Sequence, residues 1–291
     1  MTSAADRVPA PLLVLAGIVS VQFGGALAAT LVPVIGAGGS VVMRLLFATA
    51  LLLAIVRPRW RGHSRGAWRR VIAFGVSLGM MNFTFYSSLA HLPIGVAVTI
   101  EFIGPLTLAA VLSRRWVDAV AVLAAGLGVV LISEALSTPL EDLDWVGIGL
   151  ALSAGAFWAA YIVLSGRTGA EFPRLDGLAI AMVVATAVTL PLGIGSVPLW
   201  TTETLVKGLG IAVLSSVLPY SLELLALRRL SARVFGILLS LEPAAAALAG
   251  LIVLGQHLTP TQLLGMGLVV AASALVLGLG ARKDPAESTG A

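Results

Sequence analysis

The sequence predicts an all-α membrane protein with ten transmembrane helices. Of its 291 residues, 58% are apolar and 11% are charged, and the mean hydropathy is +1.03. Soluble domains carry about 25% charged residues, so this chain has too few to cover a globule. The apolar residues form long runs instead of alternating, which favours helices over a β-barrel. The predicted spans are 11–30, 35–56, 70–90, 94–112, 117–135, 145–165, 177–196, 204–226, 234–254 and 262–281.

The loops between these spans are short, so we expect one membrane unit without a separate soluble domain. Of the 18 Lys and Arg residues, all except Arg44 and Lys207 lie in the two tails or in loops on the same side as the tails. Because basic loops remain in the cytoplasm, both termini are predicted to be cytoplasmic. Residues 26–28 read A-x-A like a signal-peptide cleavage site, but Gln22 interrupts the apolar run. The first span is therefore predicted to be a retained helix.

The sequence contains an internal repeat. When Pro105 is aligned with Pro243, the stretch HLPIGVAVTIEFIGPLTLAAV lies over RLSARVFGILLSLEPAAAALA. Two repeats, residues 1–140 and 141–291, then have five spans each, so they must have opposite orientations in the membrane. Proline has no N–H to donate, so Pro105 and Pro243 are both predicted to break their helices. An inverted repeat with paired broken helices is typical of a transport site between the two halves.

Charged residues inside the spans are few, and such residues are usually functional because lipid disfavours them. They are Arg44, Glu101, Glu223 and Glu242, with Glu134 at the edge of the fifth span. Arg44 and Glu101 are predicted to lie at a similar depth. They either form a permanent ion pair, or Arg44 binds a substrate carboxylate through two parallel N–H groups of its guanidinium.

Other polar side chains extend this candidate site. Glu223 either faces the site, reaches towards water or pairs with Arg228. Asn82 and Tyr86 are one helical turn apart and share a face. Trp158 lies inside its span, whereas the other tryptophans lie at span edges. The predicted substrate-binding residues are Arg44, Asn82, Tyr86, Glu101, Trp158, Tyr220, Glu223 and Glu242, and Glu101 is also the predicted proton-coupling residue.

Several classes of protein are disfavoured. The chain has no cysteine, so disulfides and thiolate metal sites are excluded. The three histidines are not grouped with acids at metal-ligand spacing, and no phosphate-binding or dinucleotide motif occurs, so neither a metal nor a cofactor is expected. Mid-span serines lack a buried His or Asp partner, and Glu101 and Glu242 are predicted at different depths, which disfavours an intramembrane enzyme. The arginines are scattered over short loops, so nucleic-acid binding is not expected.

The stretches EFIGP…SRR and LPYSLE…LEP, together with VVMRLLFATALLLA and GVSLGMMNFTFY, resemble the EamA-type transporters of the drug/metabolite transporter superfamily. The resemblance is to the amino-acid exporters of the threonine/homoserine type, and it covers most of both halves. It implies ten helices in an inverted repeat, cytoplasmic termini, a central cavity and export of small amino acids or related metabolites. Gln256 departs from the family, which often has Glu there.

The sequence therefore predicts a secondary exporter in the bacterial inner membrane that works by alternating access and exchanges substrate for protons. Arg44 is expected to bind the carboxylate of a small amino acid, and Glu101 its ammonium group or the coupling proton. The expected partners are the amino acid, protons and the lipid bilayer, and the protein is a monomer or a homodimer. The open alternatives are an importer, a hydrophobic amine or drug exporter with an aromatic cavity lined by Phe23, Phe83, Phe85 and Trp158, an intramembrane enzyme, and a channel.

Overall fold

The fold is given by a computed structural model that describes residues 8–113, 115–133, 136, 139, 144–254 and 258–280. Glu134 and Gln256, both discussed above, lie outside the described residues. The helices are α1 (Ala10–Val56), α2 (Arg65–Ser88), α3 (Ile94–Val111), α4 (Trp116–Ile132), α5 (Trp145–Glu171), α6 (Asp176–Gly193), α7 (Thr202–Ala212), α8 (Leu218–Leu227), α9 (Ala232–Leu239), α10 (Leu241–Leu254) and α11 (Pro260–Gly280). A 3₁₀ turn, Ile194–Leu199, follows α6, and a π-helical turn, Val213–Val217, joins α7 to α8.

These elements combine into ten helical rods within the described part of the chain. Gly36 has φ 75° and ψ 169°, so α1 is two helices, 10–35 and 37–56, that meet at a kink. Glycine suits this position because a side chain disfavours positive φ. The segment Thr202–Leu227 forms one rod, and α9 and α10 form another. Among the residues that the structure describes, seven helices are long and apolar enough to cross a membrane, and Ala10–Gly25 and Trp116–Ile132 are shorter apolar helices. The all-helical prediction and the helix count are confirmed.

The predicted break at Pro105 is not observed, because α3 runs through this proline as one helix. Pro105 still leaves the Glu101 carbonyl without its helical donor. That carbonyl faces α5, where a Cβ added to Gly155 would lie 2.5 Å from the Glu101 oxygen. Neighbouring helices often tolerate a proline in this way within a membrane. The carbonyl that Pro105 leaves without a helical donor therefore lies at the close contact between α3 and α5.

The break predicted at Pro243 occurs earlier, at Ser240. Pro243 cannot donate to the carbonyl of Leu239, which is the last residue of α9. The Ser240 N–H instead donates to the Ile237 carbonyl at 3.1 Å, which tightens the last turn. The helix resumes at α10, with Glu242 in its first turn. The two aligned prolines therefore have different effects on their helices.

Helix α2 lies at the centre of the packing, between α5 and α6, while α3 packs on α5 and α4 packs on α11. The 10–35 part of α1 lies along the Thr202–Leu227 rod, where Gly17 contacts Pro219. The 37–56 part contacts α6, where the Thr49 hydroxyl donates to the Met182 carbonyl at 2.9 Å. Residues of α1, α2, α3, α5 and α8 and the first turn of α10 thereby line one central cavity.

The start of α5 is fixed by a cap on its first turn. The Asp144 carboxylate accepts a hydrogen bond from the Val146 N–H at 2.8 Å and contacts His91 Nδ1 at 2.6 Å. The Val146 N–H, and then His91, lower the pKa of Asp144 from its usual value. The cap therefore favours the ionised carboxylate.

An ion pair joins the start of α4 to the start of α9. Asp118 lies in the first turn of α4, is 3% exposed, and pairs with Arg233, which is partly exposed. The carboxylate is buried, so its charge depends on this guanidinium. The pair connects the two halves of the sequence.

We expect Arg233→Ala to destabilise the protein, because it leaves the buried Asp118 carboxylate without a counter-ion. Such a loss costs about 1–3 kcal/mol when one partner is partly exposed. The thermal denaturation midpoint in detergent should then fall by several degrees. The control is Lys207→Ala, which removes an exposed ion pair with Glu203 within one helix and should leave the midpoint unchanged. Equal midpoints for the two variants would contradict the prediction.

Candidate functional site

A central cavity of about 190 Å³ lies among the helices. It is lined by all eight side chains that the sequence singled out: Arg44, Asn82, Tyr86, Glu101, Trp158, Tyr220, Glu223 and Glu242. They come from both halves of the chain. The other lining residues are Val21, Gly25, Met81, Phe85 and Ser215. A second hollow of about 400 Å³, between α3 and α5, is lined by residues without ionisable side chains. Of these two cavities, only the central one is lined by ionisable side chains, so it is the candidate site.

Arg44 is the cation of this cavity, and it is 5% exposed. Its guanidinium donates to Asn82 Oδ1 and, at 3.3 Å, to the Tyr86 hydroxyl. The guanidinium carbon also lies 5.2 Å from the centre of the Tyr86 ring, a cation–π distance. Its Nε has no hydrogen-bond partner. The group is thus held by neutral partners, with donor capacity left over.

The ion pair considered between Arg44 and Glu101 is not present. Within the described residues, no carboxylate oxygen lies within 4.0 Å of the Arg44 guanidinium. The Glu101 side chain is 8% exposed and makes no hydrogen bond to any described residue. A buried charge without a paired partner is costly. Both groups therefore keep their capacity to bind a charged ligand.

Asn82 holds the Arg44 guanidinium and links α2 to α8. Its Nδ2 donates to the Tyr220 hydroxyl at 2.9 Å and to the Leu78 carbonyl at 2.8 Å, while its Oδ1 accepts from Arg44. This arrangement uses both the donor and the acceptor of the amide, which fixes its orientation. Asn82 therefore orients Arg44 towards the cavity.

Glu223 faces the cavity, so among its three predicted alternatives the structure favours this one. It is 6% exposed and accepts a hydrogen bond from the Tyr161 hydroxyl at 2.7 Å. Tyr161 is fully buried, and its ring centre lies 5.7 Å from that of Tyr220. Tyr161 was not included in the predicted site. The signal available in the sequence was the phenolic hydroxyl of Tyr161 within an otherwise apolar span.

Glu242 lines the same cavity as Glu101. The two acids, which were predicted at different depths, thus both line one cavity. Glu242 does so from the first turn of α10, which begins after α9 has ended at Leu239. With Glu223, the cavity has three carboxyl groups from three helices around one guanidinium. Such a set suits a ligand that has both a negative and a positive group.

The π-helical turn was not predicted, and it contributes Ser215 to the cavity wall. Nothing in the residues VLSSV distinguishes a π turn from an α-helix. Among the described residues, no group of three or more His, Asp or Glu side chains is arranged to hold a metal ion. The chemistry of the cavity is therefore that of hydrogen bonds and of charged side chains.

Comparisons with known proteins identify the family. The EamA-like transporter family matches residues 145–278. The threonine/homoserine exporter RhtA of Escherichia coli strain K12 is 43% identical over 264 residues, covering 90% of this chain and 88% of that protein. RhtA of Salmonella typhimurium strain LT2 is 42% identical over 265 residues, covering 90% and 89%. A solved crystal structure with 18% identity superposes with a TM-score of 0.76 over 94% of this chain and 98% of that one, which shows the fold alone.

These findings confirm the resemblance that the residues indicated. The relatives are bacterial exporters, and the chain has helices suited to crossing a bilayer, so it is a multi-pass protein of the bacterial inner membrane. A transporter family and exporter relatives also agree with the expectation that the chain is not an enzyme. The chain belongs to the EamA-like transporters of the drug/metabolite transporter superfamily, close to the RhtA exporters.

Proposed function

We propose that this protein exports small amino acids of the threonine/homoserine type and exchanges them for protons by alternating access. Relatives that are 42–43% identical are threonine/homoserine exporters, and they match along nearly the whole chain. In the proposed binding mode, Arg44 holds the substrate carboxylate. Glu101 holds the ammonium group, or carries the proton when the substrate has left. The remaining lining residues complete the cavity around these two ends.

One observation carries this proposal: the cavity contains a guanidinium without a carboxylate partner and a carboxyl group without a hydrogen-bond partner among the described residues. Arg44 has neutral partners and a spare donor, while Glu101 accepts no hydrogen bond from a described residue. A zwitterion brings the carboxylate that Arg44 lacks and the ammonium that the acids lack. Arginine binds carboxylates with two parallel hydrogen bonds, which gives both strength and orientation.

The packing supports an inverted repeat. Helix α4 packs on α11, the fifth span of one half on the fifth span of the other, and α3 likewise packs on α9. The contact of α2 with α5 has its counterpart in the contact of the 10–35 helix with the Thr202–Leu227 rod. Helix contacts that are equivalent when the two halves are exchanged are expected if a twofold axis in the membrane plane relates the halves. Rocking of the halves about the cavity, with both termini in the cytoplasm, would then expose the cavity to each side in turn.

The cavity size favours a small polar substrate over a bulky drug. Its volume of about 190 Å³ is below the roughly 300–1,000 Å³ of sites that hold drug-sized ligands. Phe85 and Trp158 do line it, so a compact hydrophobic amine is the second candidate. An amine has no carboxylate for Arg44, and this difference separates the two candidates. The working unit is a monomer or a homodimer in the bilayer.

Counterflow in proteoliposomes tests the proposal. Vesicles that contain the protein and a high concentration of unlabelled threonine should accumulate labelled threonine from outside, and homoserine should compete. A hydrophobic amine of similar size should not compete. Accumulation that hydrophobic amines abolish and homoserine does not would instead support the second candidate. Flux that never saturates would indicate a channel.

A further inference from the structure

The π-helical turn Val213–Val217 brings a serine to the wall of the central cavity. Ser215 lines this cavity and is 5% exposed. Its hydroxyl has no hydrogen-bond partner. A serine inside a helix usually bonds a carbonyl one turn earlier, but Ser215 does not. A buried hydroxyl without a partner is unfavourable, and π turns are frequent at functional sites.

Helix α1 holds this turn in place. The Ser20 hydroxyl donates to the Leu214 carbonyl at 2.7 Å. One helical turn further on, Gly24 lies directly against Ser215, and a Cβ added there would be 3.0 Å from the Ser215 backbone nitrogen. The Ser215 hydroxyl presently lies over Gly24. A serine hydroxyl turns about a single bond between staggered positions, so contact with a ligand in the cavity requires this side chain to turn away from Gly24.

Most other polar groups of the cavity either form a hydrogen bond with another side chain or are proposed to bind the carboxylate or the ammonium group of the substrate. Tyr86 and Asn82 bind Arg44, Tyr220 binds Asn82, and Glu223 binds Tyr161. Among the hydroxyl groups that line the cavity in the described part of the chain, that of Ser215 alone has no partner. A threonine or homoserine held by Arg44 and Glu101 has one further polar group, its side-chain hydroxyl.

We propose that Ser215 hydrogen-bonds the side-chain hydroxyl of the substrate and so selects hydroxyl-bearing amino acids. This inference rests on the proposed function. A serine hydroxyl both donates and accepts, so it can bind another hydroxyl in either sense. An analogue without the hydroxyl leaves Ser215 unpaired, and sites built in this way reject such analogues strongly. The same analogue, 2-aminobutyrate, lacks the hydroxyl of both threonine and homoserine.

The test compares Ser215→Ala with Ser216→Ala in competition counterflow. Ser216 is in the same turn, is fully buried and also has no hydroxyl partner, but it does not line the cavity. The parent protein should prefer threonine over 2-aminobutyrate by about tenfold or more. Ser215→Ala should reduce this preference to about twofold or less, mainly by weakening threonine. Ser216→Ala should keep it.

A second measurement does not depend on transport. The chain has no cysteine, so Ser215→Cys introduces a single thiol. A small thiol reagent should modify it from the cavity, and threonine should slow this reaction more than 2-aminobutyrate does. Absence of reaction, or equal protection by both amino acids, would contradict the inference.

The outcomes separate the inference from the proposed function. If the parent protein transports threonine and Ser215→Ala keeps the full preference, the role of Ser215 is refuted and amino-acid export stands. Equal transport of threonine and 2-aminobutyrate by the parent protein would also refute the role of Ser215 and leave amino-acid export standing. If the parent transports neither amino acid, the proposed function fails, and the inference fails with it.

Discussion

Arg44→Lys is expected to reduce threonine counterflow by about 30-fold to 1,000-fold, although the positive charge is kept. Lysine has no planar fork, so it cannot bind a carboxylate through two parallel N–H groups. It also cannot reproduce the bonds that the guanidinium donates to Asn82 and Tyr86. Losing one charged hydrogen bond in a buried site costs about 2–4 kcal/mol, which is 30-fold to 1,000-fold in affinity. The measurement is the concentration dependence of labelled-threonine uptake, with KM and maximal rate determined separately.

The matched control is Lys207→Arg, the reverse exchange at an exposed position outside the cavity. It should leave both kinetic constants unchanged. A thermal denaturation midpoint for Arg44→Lys close to that of the parent protein would show that the variant is folded. A folded variant with the parent's KM for threonine would mean that Arg44 does not bind the carboxylate. The guanidinium would then be a structural link between α1 and α2.

The cavity residues were predictable because the spans contain so few polar groups. A charged or amide side chain in a membrane helix must face the protein interior, since lipid offers it no partner. Arg44, Asn82, Glu101, Glu223 and Glu242 therefore had to face inwards, and all five line one cavity. The helix count followed from the same argument applied to apolar residues, since runs of the required length stand out in the sequence.

Side-chain partners were not predictable in the same way. The spans are apolar nearly all round, so periodicity does not reveal how each helix is rotated. Arg44 was expected at the depth of Glu101, but the rotation of α1 brings it to Asn82 and Tyr86 instead. Helix α3 continues through Pro105, and the Glu101 carbonyl that this proline leaves without a donor lies against Gly155 of α5, in the other half of the sequence.

The position of Ser215 on the cavity wall could not be predicted from the sequence for a different reason. Its position on the cavity wall depends on the π-helical turn, which widens the helix by one residue. The turn is stabilised from outside its own sequence, by the Ser20 hydroxyl on the Leu214 carbonyl and by the space that Gly24 leaves. Local sequence contains none of this information, and glycine in a membrane span indicated only close packing.

The second large effect is expected for Glu101→Gln, which should abolish the response of transport to a proton gradient. If one proton is exchanged for each substrate, an inward gradient of one pH unit supplies about 1.4 kcal/mol and raises the steady-state substrate ratio about tenfold. Glutamine has nearly the shape of glutamate but cannot release a proton. The variant should therefore still exchange labelled for unlabelled threonine, while its net efflux becomes independent of the gradient.

The charge balance of the cavity supports the proposal that a proton takes part in transport. Three carboxyl groups, Glu101, Glu223 and Glu242, share the cavity with the single guanidinium of Arg44. If all ionised, they would leave a net charge of about −2 in a buried site, which mutual repulsion and desolvation both oppose. A zwitterionic substrate adds no net charge, so the proposed exchange assigns a proton to at least one of these acids in part of the cycle. Glu101 is the proposed carrier because its side chain has no hydrogen-bond partner among the described residues, whereas Glu223 accepts from Tyr161. The Glu242 carboxyl group also has no such partner, so Glu242 is the alternative carrier.

The control for Glu101→Gln is Glu171→Gln, which removes a partly exposed carboxylate that pairs with Arg70 at the end of α5. It should keep the full gradient response of the parent protein. A Glu101→Gln variant that keeps the tenfold response would show that Glu223 or Glu242 carries the proton, and Glu101 would then be left with the ammonium group. A parent protein that exchanges threonine but shows no gradient response would refute proton exchange for the whole cavity, because none of its three acids would then release a proton during transport.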